Sequence, residues 1–299
     1  MHLLDLPRNS LLSLRNAIRS LRRKGLEFVV LPLEGSFPER APRRPSLPFP
    51  ISLLPILPSD TSLEEMEHSL DLLGDDERVK GVVFLISGMQ AGSAALHGLR
   101  RMILDLRTKG KRTVAWLPSA DTWDYYIASA CQEVILPPSG RLNVLGLRTE
   151  ALFLKDTLAK VGIQADLESI AEYKVTPDMF RRTAMTEPHQ EMLEAILDSL
   201  FEHVLSAISE QRDLTTDQVS ALIDRMPMSP TTAVEAGLID AVLYEDELAT
   251  HLAPAVAEKE GADNPGSASD ADTPNHQTLV TAERAARWLK RPTRRSTRK

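Results

Sequence analysis

The sequence predicts an α/β domain with a mostly parallel sheet and a helical carboxy-terminal subregion. Three observations carry that expectation. Short runs rich in Val, Ile and Leu read as buried strands, amphipathic segments joined by short links lie between them, and the periodicity becomes wholly helical after residue 186. The chain has 299 residues, 42% hydrophobic and 26% charged, which is ordinary globular composition with length for one large domain or two small ones.

The expected strands are "EFVVLPL" (27–33), "VKGVVFLIS" (79–87), "RTVAWLP" (112–118) and "QEVILPP" (132–138), each bounded by turn residues. Between the second and third, "SAALHGLRRMILDLRTKG" places Leu96, Leu99, Ile103 and Leu106 at helical spacing. "TWDYYIASAC" (122–131) forms a short helix before the fourth. Strand and helix alternating over short links implies parallel pairing. From Glu187 a long helix carries Leu193, Ile196, Leu197, Leu200, Phe201, Val204, Leu205 and Ile208 on one stripe expected to be buried. Pro188 is tolerated in its first turn, where amide hydrogens lack intrahelical partners. Thr215 and Gln218 have capping-box spacing for a second helix, and Gly237 is placed to stop a third.

The flanks differ from this core. Residues 1–26 combine Leu11, Leu12, Leu14, Ile18 and Leu21 with Arg15, Arg19, Arg22, Arg23 and Lys24. That pattern fits either a peripheral membrane contact or a helix packed on the domain. No apolar run is long enough to span a bilayer, since "LPFPISLLPILP" (47–58) is short and broken by prolines, and no secretory signal is recognisable. The expected location is cytoplasmic or peripheral to the membrane. Residues 257–281 read as a flexible linker, which closes the folded unit (27–256) near residue 256. Residues 282–299 form a basic tail. The single cysteine, Cys131, excludes an internal disulfide framework, and no metal or other cofactor is expected.

Residues 125–174, 180–200 and 233–248, including "YYIASACQEVILPP", "FRRTAMTEPHQEMLEAILDSL" and "AVEAGLIDAVLYEDEL", resemble the signal peptide peptidase A family of serine-lysine peptidases. The resemblance implies a Clp protease/crotonase-like fold and peptide substrates. More particularly, the chain is similar to the amino-terminal copy in members with two tandem copies. There the first copy supplies a lysine in a Tyr-Lys-Ser motif and the second a serine in a Ser-Gly-Gly motif. The lysine corresponds to Lys174, in Tyr173-Lys174-Val175, where valine stands in place of the serine.

A lysine with its ordinary pKa of about 10.4 cannot take the proton of a serine hydroxyl at neutral pH. Burial disfavours the charged form and lets the amine act as general base and then general acid. A lone lysine near a turn is usually solvated, so the catalytic assignment of Lys174 rests on the resemblance. Laid on the serine-bearing copy, the chain puts Thr122 at the nucleophile position and Trp123-Asp124 where glycines should let the backbone approach substrate; that is not a nucleophile turn. Ser87-Gly88 ends a strand and reads either as a substrate-binding edge or as an ordinary turn.

"AERAARWLKRP" (282–292) is similar to the connector through which tandem members enter their second copy, so the tail needs no nucleic-acid partner. The implied function is hydrolysis of signal peptide remnants or unfolded peptides by a Ser-Lys dyad, with the serine from a missing half or partner chain. The implied partners are a homo-oligomer or a serine-bearing domain. The alternative is a noncatalytic assembly subunit, and a crotonase-like coenzyme A enzyme is a distant third because only the fold class is shared.

Overall fold

A computed structural model describes residues 26–40, 62–253, 279–281 and 285. The amino-terminal segment before Leu26, the proline-broken run 47–58 and most of the linker and tail lie outside these residues. In chain order the elements are β1 (Phe28–Ser36), α1 (Leu63–Asp75), β2 (Gly81–Gln90), α2 (Ser93–Thr108), β3 (Arg112–Trp116), α3 (Thr122–Ala128) and β4 (Glu133–Leu136). Then come α4 (Lys155–Lys160), α5 (Asp178–Arg181), α6 (Glu187–Arg212), α7 (Thr216–Ile223), α8 (Pro230–Glu235), β5 (Ala241–Val242), α9 (Leu248–His251) and β6 (Leu279–Thr281). The chain divides into two compact units, one made of Met1–Val144 with Arg225–Lys299, the other of Leu145–Asp224.

The first unit holds a six-stranded sheet in the order β5-β4-β3-β2-β1-β6, with every neighbouring pair parallel. Both faces are covered, which is why the strands read as continuous apolar runs rather than alternating ones. Phe28, Val83, Val114 and Ile135 pack on one face with Leu248 and Leu252 from the end of the unit. Val29, Val82, Phe84, Ala115 and Val134 point the other way and are equally buried. Helix α2 packs on β3, and α3 packs on both β2 and β3.

At Gly81 the close approach of strands demands glycine. Its position pairs with Phe28, and a Cβ there would lie 2.5 Å from the Arg112 carbonyl oxygen and 2.6 Å from the Phe28 ring. Neither the backbone oxygen of a central strand nor a core ring can step aside. Gly81→Ala is therefore expected to cost about 1–3 kcal/mol or more, read as a lower urea midpoint at unchanged slope.

Several elements were not expected, α1 and β6 among them. Helix α1 starts at a full capping box in which Ser62 Oγ accepts from the Glu65 amide and the Glu65 carboxylate accepts from the Ser62 amide. Leu279–Thr281, read from the sequence as part of the linker, form strand β6 on the free edge of β1, and Ala285 beyond it is fully buried. Three residues are too few for a period to register in sequence, whereas an open strand edge captures them readily.

In the second unit α6 spans 26 residues, with Thr186 accepting from the His189 amide and Pro188 in the first turn. Thr215 and Gln218 form the expected capping box of α7. The apolar stripe departs from expectation. Of its residues only Val204 and Ile208, at the end packed by α7, are buried, while Ile196 is exposed and the others are half-buried. No helix among the described residues is long and apolar enough to cross a membrane.

Candidate active site

Lys174 lies in the second unit, in a tight turn, and residues 161–177 contain no regular element. Its amide donates to the Ala171 carbonyl at 3.1 Å, and Ser169 Oγ donates to the carbonyls of Ala171 (2.9 Å) and Lys174 (3.2 Å). The turn then runs into α5, whose Asp178 amide donates to Val175. Asp178 is buried and held below the usual carboxylate range by hydrogen bonding to Arg181, with Arg182 adding to the effect. Arg181 also donates to the Leu167 carbonyl at 2.9 Å, which closes the loop that presents Lys174. The backbone of the turn is thus well determined.

The side chains of the turn face water. Lys174 is exposed, Ile170 is 95% exposed and Tyr173 54%. The Tyr173 phenol donates to Glu191 of α6 at 2.9 Å, and that carboxylate raises the phenol's pKa. Leu152, Val161, Ile163, Leu167 and Met185 are exposed in the same unit. Burial, expected to tune Lys174, is therefore absent in the single chain.

Burial disfavours the charged form of another lysine, Lys111. Its ammonium donates to the carbonyls of Asp76 (2.7 Å) and Val79 (2.8 Å), immediately before β3. That is the end of the sheet opposite the carboxyl ends of the strands, where sites of open α/β sheets form. Lys111 is a structural pin between α1 and β3.

At the carboxyl ends of the strands the other singled-out residues do come together. Register slips between Glu34 and Gly35 of β1, which pair with Ser87 and Met89, so Gly88 bulges out with φ 54°. The Asp124 carboxylate accepts from the Met89 amide at 3.4 Å, and the amides of Gly88 and Asp121 also favour its charge. Asp121 caps α3, accepting from the amides of Trp123 and Asp124 at 2.9 Å each. Thr122 is buried, and Trp123 stands edge-on to Tyr126 with ring centroids 6.0 Å apart. The site of the expected glycine turn is thus the filled first turn of a helix.

Burial pushes the Asp124 carboxyl up from its ordinary range, the charge of Asp121 adds to this, and the donating amides oppose it. A raised folded pKa stabilises the fold fully below the unfolded value and loses that contribution as pH rises through the folded value. Asp124→Asn keeps an acceptor for these amides and removes the buried charge. It is expected to be more stable than the wild type at pH 7 and to lack this part of the decline in stability on the alkaline side of pH 3.8, as measured by urea unfolding across pH.

The family model for peptidase family S49 matches residues 105–258, just over half of the chain. This chain belongs to peptidase family S49. Its α/β architecture on a parallel sheet is the Clp protease-like fold of that family. The S49 chain is 30% identical over 194 residues to the chloroplastic serine protease SPPA of Arabidopsis thaliana, covering 65% of this chain and 29% of that protein. It is 23% identical over 164 residues to Protease 4 of Haemophilus influenzae (54% and 27% of the two chains) and 22% identical over 170 residues to Protease 4 of Salmonella typhi (55% and 28%). The match therefore spans less than a third of each of these relatives. Among solved structures, a mutant of a membrane-bound stomatin-specific protease superposes with a TM-score of 0.43 at 11% identity, covering 75% of this chain and 83% of that one.

Proposed function

We propose that this S49 chain is the lysine-bearing half of a serine-lysine peptidase that cleaves signal peptide remnants or unfolded peptides. Lys174 is its general base, and the serine comes from a second copy of the fold. The observation that carries this reading is the pairing, on one turn, of an exposed lysine with exposed apolar neighbours, Ile170 and Tyr173 among them. A serine-bearing body seated there removes water from the amine and from the apolar side chains together. The first effect disfavours the ammonium form, as a base requires, and the second supplies the driving force for association.

The uncovered start of the α6 stripe supports the same reading, because a stripe meant for the chain's own core would be buried along its length. Val175 favours a second reading, a noncatalytic assembly subunit, because no hydroxyl follows the lysine to orient it. Affinity purification from the native cell, with mass spectrometry and an assay on unfolded peptides, separates the two. A stoichiometric companion with a Ser-Gly-Gly turn, together with hydrolysis, supports the dyad. A stable assembly of this chain alone that hydrolyses nothing makes it a scaffold.

A further inference from the structure

The bulge at Gly88 and the first turn of α3 combine into an arrangement that peptide hydrolysis does not require. Successive amides at a left-handed glycine form a concave cradle for an oxygen that carries negative charge. Such a cradle at the carboxyl end of a central strand is where an acyl oxygen would be held if chemistry took place there. Here the cradle is already filled. Asp124, 5% exposed and 35 residues after Met89, places Oδ1 3.4 Å from the Met89 nitrogen, and the amides of Gly88 and Asp121 also favour its charge. The position is fixed from behind, because Asp121 orients the turn through the amides of Trp123 and Asp124 and Tyr125 anchors the next residue.

We infer that Asp124 is the built-in occupant of an oxyanion cradle formed by the amides of Gly88 and Met89, and that its side chain shuts this copy of the fold to a peptide carbonyl or any other small oxyanion. The inference deepens the reading of this chain as a half-site and rests on it only for its biological meaning. It gives a physical reason why this strand, bulge and helix turn cannot hold a reacting carbonyl. Substituting serine at position 122 alone would not recreate one, because the groups that should stabilise the oxyanion are already bonded to a side chain.

The test is an amide-resolved formate titration of the isotopically labelled full chain, comparing wild type, Asp124→Ala and Asp124→Asn by NMR. The cradle predicts that the Gly88 and Met89 resonances of Asp124→Ala shift saturably with formate, while those of wild type and Asp124→Asn do not move. Equal shifts in wild type and Asp124→Ala, or no shift in a folded Asp124→Ala, overturn the proposal. A readout independent of the alanine variant is the pH titration of the Met89 amide. It follows the Asp124 carboxyl in wild type and loses that transition in Asp124→Asn, where Asp121 on the same turn and Glu34 on the neighbouring strand remain; absence of the transition in wild type, or its persistence in Asp124→Asn, also overturns the proposal. Neither readout involves Lys174 or hydrolysis, so the cradle and the dyad can fail separately.

Discussion

On the proposed dyad, replacing Lys174 by methionine will lower peptide hydrolysis by the assembly about 10²- to 10⁴-fold and leave the melting temperature of this chain unchanged. The rate loss is what a general base contributes when it takes the proton of a serine hydroxyl as the bond to the carbonyl carbon forms. The unchanged stability follows from exposure: Lys174 is solvated in the single chain, and substitutions at such positions usually change stability by less than about 0.5 kcal/mol. Lys174→Arg sharpens the experiment. Guanidinium keeps the positive charge but does not deprotonate in proteins, so a merely electrostatic role would survive in the arginine variant and a base would not. Full activity in a Lys174→Met complex would remove the dyad from consideration.

Tyr125→Ala will destabilise the first unit by about 3–5 kcal/mol, the largest folding effect expected of any single substitution considered. Tyr125 is completely buried, and its hydroxyl donates to the Leu238 carbonyl at 2.5 Å, joining α3 to the turn that leads into β5 across 113 residues of sequence. Truncation leaves a cavity and an unpaired buried carbonyl together. Tyr125→Phe isolates the second effect and is expected to cost about 1–3 kcal/mol, because only the hydrogen bond is lost and the Leu238 oxygen stays dry. Urea unfolding of the two variants reads the difference. Near-equal midpoints would mean that the cavity collapses and that the ring contributes little beyond its hydroxyl.

The parts legible in sequence were those whose physics is local or repeated. β1 to β4 could be read because strands covered on both faces are apolar throughout, and α6 because its apolar positions recur over several turns. α1 went unread although Ser62 and Glu65 have capping-box spacing, since it follows directly on a proline-broken apolar stretch. β6 lies in polar sequence, and its three residues acquire meaning only beside the edge of β1. For the candidate site, the resemblance pointed to Lys174, but its exposure depends on what packs around residues 167–174 and no pattern of residue types encodes that. Trp123-Asp124 could be recognised as unfit for a nucleophile turn. The positive reason, a carboxylate bonded to amides 35 residues away, required the fold.

The strand order has a consequence for the chain during its synthesis. β1 to β4 are neighbours in sequence and in the sheet, so they can assemble as the nascent polypeptide emerges, amino end first. Their two outer margins are closed by the latecomers β5 at Ala241–Val242 and β6 at Leu279–Thr281. Until those residues leave the ribosome, both margins offer unpaired backbone groups to any passing strand. The interval includes translation of the whole second unit, which makes it the period when the sheet is most open to pairing with a foreign strand.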